Sequence, residues 1–316
     1  MVTLGTDGYT YEVIDNWAKV PEGWSFREVG GVGADANDNV YVFNRGEHPI
    51  MVFDRDGHFL RSWGEGVFPR AHGLTMGPDD TVFCSDDGDH TVRKCTLDGK
   101  VLFTLGAAGK PAPFMSGDPF NRCTHVAIDP RNGDFYVSDG YGNARVHKFS
   151  PAGELLFSWG ESGTDPGQFN IVHNIATDKE GWVYVADREN HRIQVFDPSG
   201  KFETQWVNMS RPCGLYIDQA AGISYIGELG AAIGPNAEAV RLGPRVSLYD
   251  TQGNLLARLG DQPEGGALGQ FYAPHGICID SRGDIYVGEV SWTHLGSKLD
   301  PPRELRSLQK LARRGS

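Results

Sequence analysis

The stretch "VYVADRENHRIQVFDPSGKFETQW", Val183 to Trp206, reads as an apolar strand, a polar turn, a second strand, an Asp-x-x-Gly hairpin and a third strand. The same pattern returns in "VYVFNRGEHPIMVFDRDGHFLRSWG" (Val40 to Gly64) and "FYVSDGYGNARVHKFSPAGELLFSWG" (Phe135 to Gly160). It returns in looser form in "TVFCSDDGDHTVRKCTLDGKVLFTLG" (Thr81 to Gly106) and "PRVSLYDTQGNLLARLG" (Pro244 to Gly260). A further short strand precedes each copy, as in "HVAID" from His125 and "CGLYID" from Cys213. Aligning the first residue of that preceding strand gives Gly30, His72, His125, His173, Cys213 and His275, with spacings of 42, 53, 48, 40 and 62 residues. Six four-stranded units at this period predict an all-β, six-bladed β-propeller.

Composition agrees. Apolar residues are 39% and charged residues 22% of the 316, an ordinary globular balance, and 42 glycines suit a fold rich in tight turns. The net charge of −12 argues against nucleic acid or an anionic membrane as the main partner. No run of apolar residues reaches membrane-span length, and "MVTLGTDGYTYEVID" has neither a basic nor an apolar leader segment. The five cysteines, Cys84, Cys95, Cys123, Cys213 and Cys278, match no zinc or redox spacing. A reduced, cytoplasmic protein is the expectation.

The ends point to ring closure. "SLQKLARRG" (Ser307 to Gly315) matches "RIQVFDPSG" in register and lacks a strand after it, while the strand-like "YTYEVID" (Tyr9 to Asp15) precedes the first full repeat. The N-terminal strand is therefore expected to complete the last blade, giving one domain over residues 1–316; a short amphipathic helix is the other reading of the basic tail. "GAAIGPNAEAVRLGP" and "PEGGALG" are read as surface loops.

Inner strands of a propeller line its channel, so residues at their starts form a ring. His72, His173 and His275 belong to alternate repeats, which places three imidazoles about a common point. Three nitrogen ligands with an open fourth position is the layout of catalytic zinc. His125 shares the slot in the third repeat and is a candidate fourth ligand or supporting group; Cys213 fills it in the fifth and reads as a buried thiol. The turns after the second strands begin at Asn44, Asp86, Asp139 and Asp187, residues that bond locally to backbone N–H groups. The positions that follow carry Arg45 and Arg188, suited to a carboxylate, and Tyr141, whose phenol a metal and arginines would push toward phenolate and make a general base.

The repeats resemble NHL propellers. "FNRGEH", "AHGL", "VSDGYGNAR", "FNIVHNIA", "VADRENHRIQ" and "APHGI" together make the chain similar to peptidyl-α-hydroxyglycine α-amidating lyases over nearly all its length. The resemblance implies zinc on His72, His173 and His275, a catalytic Tyr141 and active-site Arg45 and Arg188. It implies cleavage of an N-acyl-α-hydroxyglycine, a small-molecule substrate bearing a carboxylate, to an amide and glyoxylate. It also implies a channel Ca²⁺ on the carbonyls of Val32 and Leu74, but Gly276 stands where the family's third calcium ligand is an aspartate. Ala273 replaces a family methionine beside the last histidine, and Gly142 replaces the cysteine of a disulfide found in animal members. Two other functions fit a six-bladed propeller: a metal-dependent hydrolase or lactonase, and a non-enzymatic binding scaffold.

Overall fold

A computed structural model describes residues 1–6, 8–230, 242–260 and 263–315. Its described strands form six antiparallel sheets arranged as the blades of a propeller. Blade 4 is typical: Val172–Thr177 is innermost, followed outward by Val183–Asp187, Arg192–Phe196 and Phe202–Trp206. The Asp/Ser-x-x-Gly hairpins between third and fourth strands need a left-handed residue, and glycine supplies it: Gly57, Gly153, Gly200 and Gly253 have φ of 82° to 87°. At Asp54, Asp197 and Asp250 the side chain also accepts backbone N–H groups two and four residues on.

The ring closes as the sequence predicts. Leu308–Arg313 is a strand, not a helix, and pairs on one side with Ile285–Glu289 and on the other with Tyr11–Ile14, in the register Tyr11 to Arg313 and Val13 to Leu311. Thr3–Leu4 adds a further strand outside, so blade 6 has five. The chain's two ends are thereby sealed by backbone hydrogen bonds and by the burial of Tyr11, Val13 and Leu311 against the blade 5 and blade 6 core.

The core is a set of layers between neighbouring blades. Ala176, Tyr184 and Ile193 of blade 4 pack on Leu215, Ile226 and Tyr249 of blade 5, and equivalent layers join the other pairs. The recurrent second-strand tyrosine is fully buried, yet its hydroxyl is satisfied by the aspartate ending the inner strand, at 3.0 Å for Tyr184 to Asp178 and 3.1 Å for Tyr286 to Asp280. Burying each ring contributes about 2–3 kcal/mol by area, provided the hydroxyl keeps that partner.

One irregularity recurs in all six blades. Each inner strand carries a β-bulge against its neighbour, and the extra residue is Gly30, His72, Thr124, His173, Cys213 and His275 in turn. The sequence alignment was therefore one residue out in blade 3. Cys123 opposes Asp139 and His125 opposes Ser138, so Thr124 is the bulged residue and His125 lies one step further along the channel. On blades 2 to 6 the carboxylate ending the second strand holds the bulge in place. Asp86, Asp139, Asp187, Glu228 and Glu289 are all buried and each accepts backbone N–H from the segment entering the bulge of its own blade, for example Arg70 to Asp86 at 2.9 Å and Asn170 to Asp187 at 2.7 Å.

The loop read at residues 230–244 lies mostly outside the described residues. "PEGGALG", Pro263 to Gly269, is a partly exposed connection into blade 6. No described helix is long and apolar enough to cross a membrane. All five cysteines are buried free thiols.

Candidate metal centre and its pocket

A bulge re-aims the side chain of its extra residue, and on blades 2, 4 and 6 that residue is a histidine. The ligand nitrogens of His72, His173 and His275 lie within 4.8 Å of one another, and all three side chains are buried. Each Nδ1 donates to a backbone carbonyl of the neighbouring blade: His72 to Thr124 at 2.8 Å, His173 to Cys213 at 2.9 Å and His275 to Gly30 at 2.6 Å. A carbonyl only accepts, so the proton sits on Nδ1 and the Nε2 lone pair of each ring is left for the centre. Burial, reinforced by the neighbouring imidazoles and by Arg45 or Arg188, holds all three well below the ordinary imidazole value. Neutral rings with fixed tautomers and carbonyl-bonded outer nitrogens are what a zinc site of three histidines requires. The donor set fits that ion.

Glycines allow the close approach. A Cβ on Gly276 would stand 2.8 Å from the Cα of Gly31 and 3.0 Å from the amide nitrogen of Val32. No side chain fits there without moving backbone, so an aspartate after His275 is excluded by packing as well as by sequence. Val32 and Leu74 line the lower channel, a cavity of about 350 Å³ whose wall is largely apolar and includes no carboxylate. The residues present do not fit the implied calcium ion.

Tyr141 closes the triangle on its outer side. Its hydroxyl lies 2.9 Å from Nε2 of His173, 3.3 Å from Nε2 of His72 and 3.3 Å from a guanidinium nitrogen of Arg188. In the chain alone, burial pushes the phenol above its ordinary value and Arg188 offsets only part of this. Arg188 acts in the expected direction, but in the chain alone desolvation is the larger effect. Arg45 donates to the carbonyl of Ala71 at 2.8 Å and to Glu28 at 2.7 Å. Arg188 donates to Glu189 at 2.8 Å.

His125 does not join the triad. Its Nε2 donates to the hydroxyl of Thr75 at 3.2 Å, facing the lower channel, and burial pushes the ring down to about 4. The Cys213 thiol is 3.5 Å from Nδ1 of His173, and burial pushes it up to about 11, so it stays protonated.

Above the triad opens a pocket of about 500 Å³ lined by Tyr141, His275 and, less expectedly, five arginines. Arg70, Arg122 and Arg211 join Arg45 and Arg188. The repeat register holds the signal that finds them: each lies two residues before a bulge, on blades 2, 3 and 5. Glu28 occupies the same position on blade 1. Ala273 does so on blade 6 and leaves that wall of the pocket open.

Fold and site together define a six-bladed propeller with a three-histidine, metal-competent centre beneath an arginine-lined pocket. The chain belongs to the NHL-repeat propeller family. The NHL repeat model matches residues 120–149, 169–196 and 271–295. NHL repeat-containing protein 3 of Mus musculus is 36% identical over 270 residues, covering 80% of this chain and 74% of that protein. Peptidyl-alpha-hydroxyglycine alpha-amidating lyase 1 of Drosophila melanogaster is 35% identical over 256 residues, covering 74% of this chain and 45% of that one. The chain spans from 35% to 62% of the length of the first curated relatives it matches. The solved virginiamycin B lyase of Staphylococcus aureus shares the fold, with a TM-score of 0.56 at 15% identity over 85% of this chain and 80% of its own.

Proposed function

We propose that this protein is a zinc-dependent lyase that cleaves a carbinolamide, an N-acyl-α-hydroxyglycine or close analogue, to an amide and a carbonyl product. The observation that carries the reading is the junction of the two halves of the site. Three neutral imidazole nitrogens converge beside a phenol that is itself hydrogen-bonded to an arginine. Zinc bound by His72, His173 and His275 would supply Lewis acidity and positive charge toward a substrate oxygen. The relatives named as amidating lyases support the same reading.

The chain's own residues divide the rest of the work. Arg188, with Arg45 across the pocket, holds the substrate carboxylate by charge-assisted hydrogen bonds. Tyr141, as phenolate, takes the hydroxyl proton. As that proton leaves, the C–O bond becomes C=O and the C–N bond breaks. The electron pair goes to nitrogen, which takes up the proton that Tyr141 gained, so the phenolate is regenerated and the reaction has no net proton change. Arg188 favours the phenolate together with the positive charge that a metal on the three histidines would supply, since Arg188 alone offsets only part of the burial.

The test is elemental analysis of protein purified without chelator, combined with turnover of N-benzoyl-α-hydroxyglycine. The expected result is one zinc per chain in the native protein, loss of zinc in His275→Ala, and amide formation only by the former. Calcium alone in the native protein, or full turnover by His275→Ala, would overturn the proposal.

A further inference from the structure

We infer that the pocket recognises a doubly anionic substrate, with a second anion held by Arg70 and Arg122. This rests on the lyase reading for the position of the first carboxylate. The charge count motivates it. The five pocket arginines are answered by three carboxylates. Arg45 has Glu28 to itself. Arg188 and Arg211 share Glu189, both at 2.8 Å. Arg70 and Arg122 share Asp87, which is buried beneath them and bonds Arg122 at 2.7 Å. At the rim Glu264 bonds His294 and Lys298 donates to the His294 carbonyl, both at 2.8 Å, so one carboxylate and one ammonium cancel in the count. Among the described residues the pocket therefore carries two positive charges in excess, although the whole chain carries a net charge of −12.

The excess is divided between two places. One charge belongs to the Arg188–Arg211 pair, whose Arg188 is assigned, with Arg45, to the glycine-side carboxylate. The other belongs to the Arg70–Arg122 pair. Tyr141 lies between them in contact terms: the guanidinium of Arg122 is 4.5 Å from its ring centroid and that of Arg188 is 5.5 Å. A substrate centred on the Tyr141 hydroxyl thus meets one surplus charge from each pair. Arg70 and Arg122 are a third or more exposed, so both present guanidinium N–H groups to the pocket. A monoanionic substrate with a neutral acyl group would leave that second charge without a counterion. The fitting class is an N-acyl-α-hydroxyglycine whose acyl group ends in a carboxylate.

Two unreactive glycine derivatives separate the charge question from catalysis. Binding of N-acetylglycine, a monoanion, and N-succinylglycine, a dianion, is measured by calorimetry on the zinc-loaded protein at low salt and at about 0.5 M salt. The expected result is about tenfold tighter binding of the dianion at low salt. That preference should shrink in high salt, in Arg122→Gln and in Arg70→Gln, and survive in Arg70→Lys. Equal affinity of the two compounds in the native protein, including none measurable for either, overturns the subsite, as does a preference that neither glutamine variant reduces. A dianion preference in protein that cleaves no α-hydroxyglycine derivative would sink the lyase reading while supporting the subsite. Cleavage without any dianion preference would do the reverse.

Discussion

The hydroxyl of Tyr141 stands 2.9 Å from Nε2 of His173, close enough for the phenol to donate to the lone pair that faces the centre. One group therefore belongs both to the candidate metal site and, through Arg188, to the anion pocket. The consequences of that sharing, and of the packing beneath it, can be measured.

Tyr141→Phe keeps the buried ring and removes only the oxygen. Turnover should fall by about 10²- to 10⁴-fold, the range for loss of a positioned general base. Zinc content should stay at the native level, because all three Nδ1 bonds to backbone carbonyls are untouched. Steady-state kinetics with elemental analysis decides it; normal turnover would remove Tyr141 from the mechanism.

Cys213→Ala should retain zinc. The thiol touches His173, but burial keeps it protonated, and it is the Cys213 carbonyl that orients the imidazole. A backbone acceptor survives the substitution. A variant that loses zinc would show that the sulfur is a ligand.

Gly276→Asp should not restore a calcium site. The new Cβ would collide with the backbone at Gly31 and Val32, an overpacking cost of about 2–3 kcal/mol or more. The native protein should melt at the same temperature with Ca²⁺ or with a calcium chelator, and the variant should melt lower in both. A Ca²⁺-dependent rise in the native midpoint would contradict the packing argument.

His125 should make the metal-free protein acid-sensitive. Its folded value of about 4 lies below the ordinary 6.5, so the unfolded chain binds the proton first. Stability is complete above pH 6.5 and falls as pH drops toward 4. The difference of about 2.5 pH units sets a ceiling of roughly 3 kcal/mol, reduced because the ring is only half-buried and borders the channel. The site histidines act in the same direction, so the informative quantity is the difference between native protein and His125→Leu. Denaturant midpoints at pH 7 and pH 5 should differ less in the variant; identical pH dependence would show that His125 titrates normally.

Blade number, strand order, ring closure through Tyr9–Asp15 and the triad of His72, His173 and His275 were all legible in the sequence. The physical reason is repetition. Each blade must alternate apolar faces, turn at glycine and end its second strand on a polar side chain, so equivalent positions announce themselves. Three features came from the tertiary structure alone. The bulge in blade 3 falls on Thr124, because the extra residue of a bulge is set by hydrogen-bond register between strands, which the inner strand's own residues do not encode. Arg45 takes Glu28 within blade 1, where strand pairing sets Val29 opposite Asn44; Arg122 shares Asp87, 35 residues away and on the neighbouring blade, because partners across the mouth are chosen by how packed blades turn their loops inward. Gly276 admits no ligand for the same reason: its neighbour is the backbone of blade 1, which reaches it only when the ring is closed.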